Sequence, residues 1–284
     1  MLKQGGVRNS ANAIGEAIGG AVKDSNNRRR HEDCVAPHRV QVNLNQRRGW
    51  REWVPVPYCC GMSTDYDLTP EEQQIADRFH ELYYDKRVGP GHHRIWEQTK
   101  WMGYPVLKTP ADLWNYQEIL FEVKPDLVIE TGTYASGTTL FLAHLMDIVG
   151  NGRIVSIDIK EQSVRAQHPR ITYITGSSAD PAIVQAVSAH RVPDESCLVI
   201  LDSDHSKGHV AKEMALFAPL VTVGSYMIVE DSNVNGHPVY PAFGPGPYEA
   251  IEEFLATRSS FVPDKAREKF LVSWNPKGYL RRVA

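Results

Sequence analysis

Short apolar runs alternate with longer amphipathic stretches along much of the chain, and this alternation is its most regular feature. Five runs rich in aliphatic and β-branched residues are typical of buried strands: residues 127–129, 153–157, 171–174, 197–201 and 226–229. Helical stretches are predicted between them, around residues 140–149, 181–189 and 207–217. Strands of this kind separated by helices predict an α/β fold, in which a doubly wound, mostly parallel sheet has helices on both faces.

The region before these strands has two parts. Residues 1–65 are rich in Gly, Asn, Ser and Arg, and we expect an N-terminal arm that is loosely packed or contributes an oligomer contact. Residues 66–124 are predicted to be a helical accessory segment, since Thr69, Pro70 and Glu72 form a helix-start pattern. Residues 125–284 then make up the α/β domain.

Polar residues follow each of the five predicted strands. Ligands of parallel sheets bind beyond the carboxyl ends of the strands, so these polar groups are predicted to meet at one edge. Helix capping alone is an alternative role for single residues such as Asp180 and Ser203. Capping is a weaker explanation for five successive strands that all end this way.

A glycine turn follows the first of these strands. The turn begins at Glu130, includes Gly132 and ends at Gly137. This spacing differs from the Gly-x-Gly-x-x-Gly pattern of dinucleotide-binding folds. Glycines let the backbone approach a ligand, and the N–H groups of the next helix, with Ser136 as its expected cap, can meet a polar cofactor. An acidic residue at the turn suits a cationic group such as the amino group of S-adenosylmethionine. The residues expected to bind this cofactor here are Glu130, Gly132, Thr133, Tyr134 and Ser136.

The cofactor site is expected to extend across the neighbouring strands. Asp158 ends the second strand, where a carboxylate can accept both ribose hydroxyls of an adenosine group. Ser177 and Ser178 follow the third strand, and Asp202 and Asp204 follow the fourth. All five are candidate cofactor-binding residues.

Three carboxylates are predicted to form a metal site. Asp202 ends the fourth strand, and Glu230 and Asp231 end the fifth. Neighbouring strands lie about 4.8 Å apart, so these acids would repel one another without a cation between them. Oxygen ligands favour Mg²⁺, Mn²⁺ or Ca²⁺ over zinc, and we expect Mg²⁺. Helix capping, or pairing with Arg or Lys, is the alternative.

His205 is the candidate general base. It lies three residues after Asp202, and an imidazole there can take a proton from a bound hydroxyl near neutral pH. His209 and Lys207 are reserve candidates for the same role. The loop over residues 232–246 is long and rich in Gly and Pro, and we expect it to cover the site or select the acceptor.

Composition narrows the class of protein. The 284 residues are 42% apolar, with a net charge of −3 and a pI near 6.4, which argues against nucleic acid or a membrane surface as partner. An apolar run long enough to span a bilayer and a compact signal-peptide core are both missing from the sequence. The four cysteines have no metal-ligand spacing. We therefore expect a cytoplasmic protein.

Several segments together resemble the cephalosporin hydroxylase/rhamnosyl O-methyltransferase family of S-adenosylmethionine-dependent enzymes. The resemblance covers roughly residues 80 to 284 and is marked by residues 101–106, 112–119, 129–133, 201–205, 229–231 and 275–282. It implies a class I methyltransferase fold, with a Rossmann-like parallel sheet that ends in an antiparallel hairpin. Residues 270–273 and 279–283, with a turn over residues 275–278, match that hairpin.

The resemblance also implies functional details. Related sugar O-methyltransferases place Mg²⁺ on an Asp after strand four and a Glu-Asp pair after strand five, which correspond to Asp202, Glu230 and Asp231. Their base corresponds to His205. The implied reaction is Mg²⁺-dependent methyl transfer to a hydroxyl of a sugar or another natural-product small molecule, with a glycoside or deoxysugar favoured as acceptor. Family members tend to be homo-oligomers. A non-catalytic S-adenosylmethionine-binding accessory protein is the alternative, and a hydroxylase is a weaker one.

Overall fold

The computed structural model describes residues 67–162 and 164–284. The predicted arm over residues 1–65 lies outside the described residues, as do Cys34, Cys59 and Cys60. The described residues belong to one compact unit, Cys59–Ala284. The expected boundaries at residues 65 and 124 stay predictions.

Helices and strands alternate along the described part of the chain. Its α-helices are α1 (Pro70–Asp85), α2 (Pro110–Val123), α3 (Gly137–Val149), α4 (Pro181–Ser188), α5 (Lys207–Phe217) and α6 (Pro247–Thr257). Four two-residue strands come first: β1 (Arg87–Val88), β2 (His93–Arg94), β3 (Lys100–Trp101) and β4 (Tyr104–Pro105). The remaining strands are β5 (Leu127–Thr131), β6 (Arg153–Asp158), β7 (Ile171–Thr175), β8 (Cys197–Leu201), β9 (Tyr226–Val229), β10 (Phe261–Pro263) and β11 (Tyr279–Arg282).

The central sheet has seven strands in the order β10-β11-β9-β8-β5-β6-β7. Strands β5 to β9 are parallel to one another, whereas β11 is antiparallel to both β9 and β10. Since β5 lies between β6 and β8, the chain moves to opposite sides of β5 as the sheet is built. The loops after β5 and β8 therefore meet at the centre of one sheet edge, where ligands of such folds bind.

Two apolar layers cover the sheet. Side chains of α2 and α3, including Tyr116, Ile119 and Leu142, pack with Val128 on one face. Side chains of α4, α5 and α6 pack on the other face with Leu127 and Ile129. Strand β5 is buried along its whole length, because its alternating side chains enter both layers.

Helix α1 begins with the pattern that the sequence predicted. Thr69 accepts a hydrogen bond from the Glu72 backbone N–H, Glu72 accepts one from the Thr69 N–H, and Pro70 occupies the first turn. The end of α1 packs on aromatic side chains from later parts of the chain, since Tyr84 contacts Trp96 and Trp274. No helix within residues 67–162 and 164–284 has both the length and the apolar character needed to cross a bilayer.

The first strand of the terminal hairpin differs from the prediction. Strand β11 pairs with Phe261–Pro263, so the assignment of residues 270–273 to a strand is wrong. Leu271 has a φ of 64°, and the Ser273 hydroxyl donates to Asp112 Oδ1 at 2.7 Å. Residues 270–273 thus run as irregular chain toward the start of α2, and the hydrogen bonds of β11 go to another segment.

Candidate active site

A cavity of about 740 Å³ lies at the sheet edge where strands β5 to β9 end. The loops after these strands provide much of its wall, as the polar residues at the strand ends predicted. The predicted site residues that line it are Gly132, Thr133, Tyr134, Asp158, Ser177, Ser178, Asp202, Asp204, His205 and Asp231. Glu130, Ser136 and Glu230 lie outside this lining.

Two glycines allow very close packing around the turn after β5. A Cβ atom on Gly132 would lie 1.8 Å from the Asp202 carbonyl oxygen, and the Gly132 φ of +86° also favours glycine. A Cβ atom on Gly137 would lie 1.9 Å from the Pro105 carbonyl oxygen. The loop between them is therefore held against the end of β8 on one side and β4 on the other.

Ser136 does not cap α3, although it occupies the residue before the helix. Its φ is +58°, and its side chain makes no capping hydrogen bond. Ser136 Oγ instead accepts a hydrogen bond of 2.7 Å from the Ala166 backbone N–H. The expected side-chain cap is wrong because the left-handed backbone turns Ser136 toward the loop after β6; its contact with the cofactor stays a prediction.

Glu130 is buried beneath the same turn. Its Oε2 accepts hydrogen bonds from Thr139 Oγ1 at 2.5 Å and from Ser156 Oγ at 2.7 Å. Burial raises the pKa of Glu130 to about 7, although these two hydrogen bonds favour the charged form. Glu130 thus ties α3 to β6. Its expected contact with a cofactor amino group stays a prediction.

Asp158 has the position expected of a ribose ligand at the end of β6. Its Oδ2 accepts from the Tyr134 N–H at 2.8 Å, and its Oδ1 accepts from the Lys160 N–H at 3.0 Å. Each carboxylate oxygen keeps a further lone pair for a ligand. Asp158 also joins the glycine turn to the loop after β6, so it organises two walls of the cavity.

Asp202, His205 and Asp231 meet at the opposite side of the cavity. One potential ligand atom from each lies within 4.8 Å of the other two. His205 Nε2 is 3.3 Å from Asp231 Oδ2. Burial raises the pKa of Asp231, and the neighbouring His205 opposes that rise. The structure thus brings together the predicted base and two of the three predicted metal ligands.

Glu230 is adjacent to this group but has a different partner. Its Oε2 lies 3.2 Å from the Lys108 ammonium nitrogen, and its Oε1 is buried without a hydrogen-bond partner. Burial raises the pKa of Glu230 to about 7, and Lys108 opposes the rise. The role of Glu230 as a metal ligand stays a prediction.

Lys108 is a site residue that the sequence pattern does not predict. Its side chain is 3% exposed, and its Nζ lies 2.7 Å from Asp202 Oδ2. Burial alone would lower the pKa of Lys108, but Asp202 and Glu230 raise it above the ordinary value. A lysine just before a helix start resembles a surface residue, so the sequence signal for its burial is weak.

His209 and Lys207, the reserve candidates for the base, lie in different places. His209 Nε2 is 3.1 Å from Ser203 Oγ and 3.2 Å from Ser178 Oγ. The buried carboxylate of Glu213, whose Oε1 lies 3.6 Å from His209 Nε2, raises the pKa of His209. Lys207 Nζ pairs with Glu253 at 2.6 Å, away from the cavity lining.

The serines and Asp204 at the strand ends are partly occupied by local hydrogen bonds. Asp204 Oδ1 accepts from the Ser206 N–H at 2.8 Å, next to the start of α5. Ser177 Oγ accepts from the Ala179 N–H at 3.3 Å. Asp180 caps α4 by accepting from Ala182, so capping is its observed role. The cofactor contacts expected of Ser177, Ser178 and Asp204 stay predictions.

Aromatic side chains form the remaining wall of the cavity. Trp96 and Trp274 are in edge contact, with ring centroids 5.1 Å apart, and Tyr84 packs on both. Tyr240 and Phe243 come from the loop after β9, which also lines the cavity. The role expected of the loop over residues 232–246 in covering the site or selecting the acceptor stays a prediction.

Sequence comparison points to one family. The family described as "Rhamnosyl O-methyltransferase/CmcI" matches residues 93–283. A rhamnosyl O-methyltransferase of Mycobacterium leprae (strain TN) is 43% identical over 216 residues, which cover 73% of this chain and 90% of that relative. One from Mycobacterium bovis (strain BCG / Pasteur 1173P2) is 41% identical over 217 residues, covering 73% of this chain and 85% of that relative.

Solved structures of CmcI are similar in fold. An apo-structure has a TM-score of 0.55 at 21% identity, covering 77% of this chain and 86% of CmcI. A structure of CmcI described with Mg and SAM has a TM-score of 0.53 at 20% identity, covering 77% of this chain and 86% of CmcI. The likeness confirms the predicted methyltransferase fold with its mostly parallel sheet.

Proposed function

We propose that this chain, which belongs to the rhamnosyl O-methyltransferase/CmcI family, transfers a methyl group from S-adenosylmethionine to a hydroxyl of a sugar or another natural-product small molecule with the help of Mg²⁺. Membership in the family makes it an O-methyltransferase, as the sequence predicted. The observation that best supports the proposed reaction is the meeting of Asp202, His205 and Asp231 at one wall of the cavity.

The cofactor end of the cavity fits S-adenosylmethionine. Gly132 leaves no room for a side chain, so the backbone of the turn can approach a ligand directly. Asp158 is well placed to accept the ribose hydroxyls, and its two backbone hydrogen bonds fix its carboxylate. The glycine turn, Asp158 and the serines after β7 would therefore hold the cofactor.

Asp202 and Asp231, together with the adjacent Glu230, form an acidic wall that fits a divalent cation such as Mg²⁺. Asp202 and Asp231 offer carboxylate oxygens, which this cation prefers. Glu230 Oε1 is buried without a partner, and a buried polar atom in that state is costly. Coordination of a cation would satisfy it. We therefore keep Asp202, Glu230 and Asp231 as the proposed ligands.

His205 has the chemistry required of the base. When bound, S-adenosylmethionine supplies an electrophilic methyl group, and the divalent cation supplies Lewis acidity for the acceptor hydroxyl. Because Nε2 faces the Asp231 carboxylate and would carry a hydrogen, Nδ1 of His205 would accept the proton of that hydroxyl. Asp231 Oδ2, 3.3 Å from Nε2, would stabilise the imidazolium that results. The same pair orients the imidazole ring toward the cavity.

The aromatic wall supports a glycoside as acceptor. Trp96, Trp274 and Tyr84 offer broad apolar faces, and the apolar face of a sugar ring packs well on such surfaces. The relatives from Mycobacterium are named for a rhamnosyl acceptor. A rhamnoside or related deoxysugar is therefore the first acceptor to test.

The proposal can be tested with the purified protein, S-adenosylmethionine, Mg²⁺ and a panel of rhamnosides, other glycosides and phenols. Mass spectrometry should detect one added methyl group on a glycoside. His205→Ala should lower turnover by about 10²–10⁴-fold with cofactor affinity nearly unchanged. His190→Ala, which alters an exposed histidine outside the cavity lining, is the matched control. Equal turnover in the two variants would contradict the role of His205, and methylation of none of the acceptors would contradict the proposed substrate class.

A further inference from the structure

Lys108 has no role in the chemistry proposed above, yet its ammonium group lies inside the acidic wall. Nζ is 2.7 Å from Asp202 Oδ2 and 3.2 Å from Glu230 Oε2, and the side chain is 3% exposed. Removing an ammonium group from water is costly unless it is paired and hydrogen-bonded. The two carboxylates therefore account for its burial.

The backbone around Lys108 is held on both sides. Thr109, the next residue, caps α2 by accepting a hydrogen bond from the Asp112 N–H. On the other side, the Pro105 carbonyl packs against Gly137, and the Val106 carbonyl accepts a hydrogen bond from Thr138 Oγ1 at 3.2 Å. The fold thus holds the backbone on both sides of Lys108, and the ion pairs with Asp202 and Glu230 hold its ammonium group.

Lys108 acts on two of the three carboxylates of the acidic wall. Its ammonium nitrogen lies within ion-pair distance of Asp202 Oδ2 and Glu230 Oε2, which follow two neighbouring strands. Without a cation, these three carboxylates, of which Glu230 is buried and Asp202 and Asp231 are half-buried, would repel one another. Lys108 and a divalent cation would therefore both reduce the repulsion between the carboxylates, and both would contact oxygens of Asp202 and Glu230.

We propose that Lys108 is a built-in counter-ion that holds Asp202 and Glu230 together before a divalent cation binds, and that it competes with that cation for their oxygens. This inference rests on the proposed metal site. Lys108 is a positioning residue, since it acts through the carboxylates. Its fixed charge stabilises the metal-free protein and weakens the binding of the divalent cation.

The test is calorimetric titration of metal-depleted protein with Mg²⁺, followed by thermal unfolding with and without Mg²⁺. Lys108→Met should bind Mg²⁺ about tenfold or more tightly than the parent, within the range of coupling between linked sites. Mg²⁺ should also raise the unfolding midpoint of this variant by more than that of the parent. Lys108→Arg keeps the charge and should behave like the parent. Lys212→Met, at an exposed position of α5, is the neutral-substitution control.

Each other outcome has a definite meaning. Unchanged or weaker Mg²⁺ binding in Lys108→Met, with normal binding in the parent, would overturn the counter-ion role and leave the metal site intact. Absence of Mg²⁺ binding in the parent would contradict the proposed function instead. Lys108→Gln is a second neutral variant. If both neutral variants fail to fold even in saturating Mg²⁺, the inference is also overturned, because a counter-ion role predicts rescue by the cation.

Discussion

Substitution of Gly132 by alanine would test how the glycine turn depends on the end of β8. The new Cβ atom would lie 1.8 Å from the Asp202 carbonyl oxygen and 2.5 Å from its carbon. Both atoms belong to the backbone, so no flexible side chain can move aside. Real Cβ atoms essentially never come within 3.0 Å of a non-bonded heavy atom outside the adjoining residues, so the turn or the Asp202 segment must shift by about an ångström.

Two costs are expected, and one control separates them. The left-handed φ of +86° is unfavourable for alanine, by about 1–2 kcal/mol of the free energy of unfolding. Gly224 has almost the same φ, +88°, but a Cβ atom added there would have nothing within 4 Å. Gly224→Ala should therefore show the backbone cost alone, whereas Gly132→Ala should show that cost plus the cost of the displaced backbone.

The displacement should also be visible in the reaction. A misplacement of about 1 Å near a reacting group can lower the rate about 10²-fold. Urea unfolding, calorimetric titration with S-adenosylmethionine and turnover should be measured for both variants. Gly132→Ala should be less stable than Gly224→Ala, bind the cofactor more weakly and lose at least that much activity. Equal stability, affinity and turnover in the two variants would refute the close-approach argument.

Three further predictions concern pH, the cofactor and assembly. Burial lowers the pKa of His80 from 6.5 to about 4, and its Nε2 pairs with the Asn233 amide at 2.9 Å. The folded protein therefore holds His80 neutral, and its contribution to the free energy of unfolding should be complete above pH 6.5. That contribution should fall by on the order of 3 kcal/mol between pH 6.5 and pH 4. Urea unfolding should show this dependence, and His80→Gln should remove it. Asp158→Ala should bind S-adenosylmethionine much more weakly by calorimetry, and unchanged affinity would contradict the ribose assignment. Light scattering should give a mass above one chain, and a truncation starting at Asp67 should lower that mass or the stability if residues 1–65 contribute to the subunit contact.

The α/β organisation could be predicted because it depends on local pattern. The five predicted parallel strands agree with β5 to β9 to within about two residues, and the helix over residues 207–217 matches α5. The carboxyl ends of parallel strands lie at one edge, so the meeting of Asp202, His205 and Asp231 followed from chain order. The family and enzyme class expected from the sequence are likewise confirmed.

The details that could not be predicted depend on contacts between distant segments. Lys108 is 94 residues from Asp202 in sequence, and contacts with distant residues, such as the close packing of Gly137 on Pro105, bring it to the acidic wall. Ser136 has the residue type of a helix cap, but its left-handed backbone directs the hydroxyl to Ala166. The wrong hairpin strand over residues 270–273 has the same origin, because Asp112 binds that segment from another part of the chain.

The most direct measurement of the central claim is transfer of a deuterated methyl group from S-adenosylmethionine to a rhamnoside. The protein should first be depleted of metal by exhaustive chelation, and the product should be followed by mass spectrometry as Mg²⁺ is restored. Labelled methyl ether should form at a rate that depends on Mg²⁺, and Asp231→Asn should need a higher Mg²⁺ concentration for the same rate, because a neutral amide replaces a charged proposed ligand. Full transfer by the chelated protein, with no response to Mg²⁺, would contradict the account.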